Sequence, residues 1–108
     1  MNEEELLQVA MQLIIHAGNA KSECMEAIQL VKSGDFSGSI EKIEAANQSL
    51  THAHHAQTSL LTNEARGEHV QPTLMLIHAQ DHLMNAITFR DLAKEMIELY
   101  TRINTQTS

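Results

Sequence analysis

The sequence predicts an all-α fold, a single domain over residues 1–108 built as an antiparallel up-down-up three-helix bundle. Apolar residues recur in steps of three and four through three segments of about thirty residues, the spacing of a helix buried along one side. The apolar set is Leu, Ile, Ala and six Met, with no Trp, one Tyr and two Phe, which favours helices over sheets. Four Gly and one Pro are too few for the many turns of an all-β chain.

The first helix is expected over residues 3–32, with Leu6, Val9, Leu13, Ala17, Ala20, Cys24, Ile28 and Val31 along its buried line. Glu3, Glu4 and Glu5 fall in its first turn, where the helix dipole favours carboxylates, and Gly34 supplies its stop. The second helix is expected over residues 37–66, with Asp35 or Ser37 as N-cap and Ile40, Ile43, Leu50, Ala53 and Leu61 facing inward. The third is expected over residues 72–103. Pro72 suits its first position, because the missing N–H has no helical partner there. Leu74, Met75, Leu83, Ala86, Leu92, Met96 and Leu99 form its apolar line, and residues 104–108 are expected to fray.

Each helix is about 45 Å long, which makes a rod with much surface for its volume. Leu7, Met11, Ile14 and Ile15 flank the main line of the first helix, so a monomer leaves apolar surface wet. A homo-oligomer is therefore predicted, although the pattern does not fix its order. The net charge of −7 argues against a nucleic-acid or anionic-membrane partner. It suits a basic protein partner, or solubility alone. The single cysteine, Cys24, reads as a reduced, packed thiol. The N-terminus lacks the features of a signal peptide, and no apolar run approaches the roughly 20 residues that span a bilayer. A cytoplasmic protein is expected.

Seven His are unevenly placed. His78, Asp81, His82 and Asn85 stand at i, i+3, i+4 and i+7 and share one face of the third helix, on the line of Leu74, Met75, Leu92 and Met96. Polar groups on a buried stripe must be paired, hydrated or metal-bound. In an up-down-up bundle, His16 and Asn19, His54 and Gln57, and His78 to His82 fall at similar heights and are expected to form one polar layer. Such a layer in a non-catalytic adaptor would set helix register. Ser or Cys nucleophiles lie outside it. His78 and His82 have the His-x-x-x-His spacing of a zinc site, but Ala79 stands where a zinc protease has its Glu base. A neutral imidazole can instead attack a phosphoryl group with no dedicated base, with His82 or Gln80 holding its oxygens. Asp81 would repel that phosphate unless neutralised. It either turns toward a symmetry axis, where several copies require a hard cation such as Mg²⁺, or it orients an imidazole.

At these residues the chain resembles the lactose/cellobiose-type IIA component of the bacterial phosphoenolpyruvate-dependent sugar phosphotransferase system. The resemblance rests on Ala17-Gly18-Asn19-Ala20-Lys21-Ser22, Ser33-Gly34-Asp35-Phe36, Ala53-His54 with Gln57-Thr58, Glu64-Ala65-Arg66-Gly67-Glu68, and His78-Ala79-Gln80-Asp81-His82-Leu83-Met84. It implies a homotrimer of three-helix subunits in which His78 takes phosphate from phospho-HPr and passes it to a cysteine of the cognate IIB component. It also implies that Asp81 lies on the threefold axis, where three copies bind one divalent cation, and that His82 and Gln80 lie near the phosphate, with His54, Gln57 and His16 as further neighbours. His16 and Asn85 depart from the Tyr and Thr of lactose-specific members, which tilts the expected sugar toward cellobiose or a related β-glucoside.

Overall fold

The computed structural model describes residues 1–107, with side chains as far as Thr105. Three helices run up, down and up: α1 (Glu3–Lys32), α2 (Phe36–Ala65) and α3 (Leu74–Thr107). They form a rod of 58 × 20 × 19 Å.

Local chemistry sets the helix ends. The Asn2 side chain accepts from the Glu5 N–H at 2.8 Å and caps α1. At the other end Gly34 takes a positive φ of 90°, and Asp35 N–H donates to Leu30 C=O at 2.9 Å while Gly34 N–H donates to Val31 C=O at 3.1 Å. These are the paired bonds of a Schellman stop. Asp35 then begins α2, its carboxylate accepting from Gly38 N–H at 2.9 Å. The same stop closes α2, with Gly67 at φ 82° and Glu68 N–H bonded to Asn63 C=O at 2.9 Å.

α3 departs from expectation at both ends. Pro72 is not its first residue: the Thr73 hydroxyl accepts from Leu76 N–H at 3.1 Å, which makes Thr73 the cap and starts the helix at Leu74. At the other end the helix runs on past the expected boundary at residue 103 to Thr107; Ser108 lies outside the described residues.

The core runs along α1, which packs against both other helices, whereas α2 and α3 meet sparingly. Its centre is alanine-rich, with Ala10, Ala17, Ala20, Ala46, Ala53, Ala79, Ala86 and Ala93 all buried around Leu13 and Leu83. Small side chains let helix axes approach closely, so little of each helix is covered. Consequently much of the predicted apolar line is open. Ile40 and Leu61 of α2 are exposed, and Leu60 and Ala46 take the inward places. In α3 the buried line is Leu76, Ala79, Leu83, Ala86 and Ala93, while Leu74, Met75, Leu92, Met96 and Leu99 face solvent.

Candidate functional site

The inward line of α3 decides where its polar residues point. Successive helical residues are about 100° apart, so residues beside Ala79 and Leu83 cannot share their direction. His78, Asp81 and Asn85 are exposed, and His82 is half-buried at the edge of the core. The expected buried polar layer is therefore corrected within one chain: the face carrying these groups looks outward, and alanines fill the place assigned to it.

His78 and His82 lie one turn apart, and their Nε2 atoms approach to 3.0 Å with the ring planes perpendicular. Two neutral imidazoles can make that contact only if one donates its N–H and the other accepts. Gln57 and Gln80 meet separately: Gln57 Nε2 donates to Gln80 Oε1 at 2.8 Å and ties α2 to α3. Gln80 is two residues from both His78 and His82, on the opposite flank of the helix. His16 stacks on His52 with ring centroids 5.2 Å apart and meets Gln12 at 3.0 Å. The His54 side chain is exposed and makes no hydrogen bond among the described residues. One chain thus brings His82 alone to His78; Gln57 and Gln80 pair with each other, His16 pairs with His52 and Gln12, and His54 stands apart from all of them.

Asp81 lies on the outward face of α3 among Leu74, Ile77, Met84, Leu92 and Leu99, which are between 51% and 83% exposed. With Ile77, it also borders a cleft of about 290 Å³ closed on the far side by Leu60, Leu61 and Val70. Glu64 fixes the chain over this cleft. Its carboxylate accepts from Val70 N–H at 2.8 Å and meets His69 Nδ1 at 2.9 Å. The hydrogen bond from His69, then that from Val70, holds the Glu64 carboxyl below its ordinary value. This clasp was not anticipated from sequence; its signal was an acid and a His flanking Gly67. Among the described residues no three His, Cys, Asp or Glu side chains converge on a metal position. Asp81 is a hard-oxygen donor suited to Mg²⁺, but one chain supplies too few such donors, and a site there needs further copies.

The geometry can be set beside known proteins. The sequence model of the family described as "PTS system, Lactose/Cellobiose specific IIA subunit" matches residues 8–101. The lichenan-specific phosphotransferase enzyme IIA component of Bacillus subtilis is 50% identical over 103 residues, covering 95% of this chain and 94% of that one. The crystal structure of the PTS cellobiose specific enzyme IIA from Bacillus anthracis superposes with a TM-score of 0.91 at 45% identity, covering 97% of this chain and 94% of that one. The IIA(Chitobiose) chain of the Escherichia coli IIA(Chitobiose)-HPr complex superposes with a TM-score of 0.80 at 35% identity, covering 96% and 99%.

Proposed function

The chain belongs to the lactose/cellobiose-specific IIA family and is a component of a sugar phosphotransferase system; on that premise we propose that it is a phosphohistidine carrier with His78 as its acceptor. The observation that carries this reading is an imidazole open to solvent whose Nε2 is held by a neighbouring ring. If His82 donates its Nε2–H, His78 keeps its proton on Nδ1 and presents an Nε2 lone pair. That lone pair attacks phosphorus. The N–P bond forms as the bond to the donor breaks, and the electron pair leaves with the donor. The freed His82 N–H then donates to a phosphoryl oxygen, where negative charge develops. In the second transfer a thiolate of the IIB component attacks, an S–P bond forms, and the pair returns to His78 Nε2.

The partners in this reading are HPr as donor, IIB as acceptor and two further copies of the chain, all in the cytoplasm. HPr enters because the related chitobiose-branch protein forms a complex with it. The proposed homotrimer buries the outward face of α3 and gathers three Asp81 carboxylates on its axis. Mg²⁺ or a similar divalent cation held there would neutralise their mutual repulsion and lessen their repulsion of the phosphate on His78. The chain itself never touches the sugar. A β-glucoside is proposed as the cargo, because His16 and Asn85 depart from the lactose pattern and the relatives above include lichenan- and cellobiose-specific proteins.

Incubation with phosphoenolpyruvate, enzyme I and HPr should place one acid-labile phosphoryl group on each chain. His78→Ala should abolish the label. A variant that still took up label would remove His78 from the mechanism.

A further inference from the structure

The two facing nitrogens of His78 and His82 have a second capacity. Two imidazole nitrogens, each about 2.05 Å from a metal ion, subtend about 95° at the metal when they are 3.0 Å apart. An angle near 90° separates adjacent ligands in square-planar and octahedral coordination, the geometries of copper(II) and nickel(II), whereas a tetrahedral ion needs the nitrogens about 3.3 Å apart. His82 is anchored at the edge of the core and His78 is open to solvent, so an ion can reach the pair and water can complete its shell. The other close histidine pair lacks this capacity. His16 and His52 stack with an interplanar angle of 30°, so their in-plane lone pairs do not converge, and Gln12 holds the His16 Nε2.

We propose that His78 and His82 form a two-nitrogen chelate for a copper(II)- or nickel(II)-class cation, and that its occupation blocks phosphoryl acceptance. On binding, His82 shifts its ring proton from Nε2 to Nδ1, so both rings remain neutral and each directs an Nε2 lone pair at the metal. The lone pair that would attack phosphorus is then committed to the metal. The binding half stands on geometry alone; the blocking half rests on the carrier reading.

The experiment titrates the full-length protein with Ni²⁺ by calorimetry near pH 7.5. Expected is one equivalent per chain, weakened at least tenfold by His82→Gln or His78→Gln and unchanged by His52→Gln. Equal affinity in the wild type and His82→Gln would overturn the chelate. A second arm supplies preformed phospho-HPr and follows the initial rate of labelling, which Ni²⁺ should suppress at least tenfold and excess EDTA should restore. Nickel bound at the pair with undiminished labelling would overturn the blocking half. Failure to label without nickel would instead count against the carrier reading and leave the binding result standing.

Discussion

Ser39 shows what a single buried atom costs. Its hydroxyl is fully buried in α2 and has no hydrogen-bond partner among the described residues. A polar group in that position forfeits its hydration and gains nothing, a loss of about 1–3 kcal/mol. Ser39→Ala removes the orphan and raises helix propensity, so it should stabilise the chain by about 1 kcal/mol, measured by urea unfolding. A lower midpoint would mean that the hydroxyl has a partner in solution. Cys24 behaves as the sequence suggested. Burial pushes its thiol up to about 11, so it stays protonated at neutral pH and should resist thiol reagents until the protein unfolds. His78 and His82 were legible as a pair because i,i+4 spacing fixes their proximity. The direction in which they point was not legible, because it depends on which of two adjacent lines of α3 meets α1. Ala79, Ala86 and Ala93 win that contact, yet they carry too little apolar weight in a sequence to announce it.

Helix ends were read where one residue type has no substitute. Gly34 and Gly67 both occupy the left-handed region that L-residues avoid at a cost of about 1–2 kcal/mol. Gly34→Ala should therefore destabilise the chain by about 1 kcal/mol. The start of α3 was misplaced because Pro72 reads as a first helical residue, whereas the hydrogen bond that the Thr73 hydroxyl accepts from Leu76 N–H makes Thr73 the cap. The Glu64 clasp makes a prediction of opposite character. Its carboxyl is held below the ordinary 4.5, so its contribution is present above that value and is lost as pH falls through the lowered one. Glu64→Gln should lower the thermal midpoint at pH 5–7, and the difference from wild type should close as pH falls below 4.5. A difference that persisted at pH 2 would show that the hydrogen bonds matter without the charge.

For the whole molecule the governing quantity is the apolar surface that one chain leaves uncovered. The sequence showed that apolar residues exceed what three thin helices can bury, but one chain cannot specify how many copies meet. Leu74, Ile77, Leu92 and Leu99 give α3 an apolar outer face, with Asp81 as an acid in its midst. If three copies close on that face, three carboxylates converge where water is largely excluded, and each opposes the others by an energy that grows as the local dielectric falls. In the proposed trimer a divalent cation would offset that repulsion. EDTA should therefore loosen the assembly, shifting the sedimentation mass of dilute protein below three chains. Asp81→Leu removes all three charges and extends the apolar face, so the variant should sediment as three chains with or without EDTA and unfold at a higher temperature. Its His78 should still accept phosphate, since the imidazole pair does not include the acid. An Asp81→Leu protein that fell apart into single chains would show that the carboxylate joins the copies by some contact other than convergence on an axis.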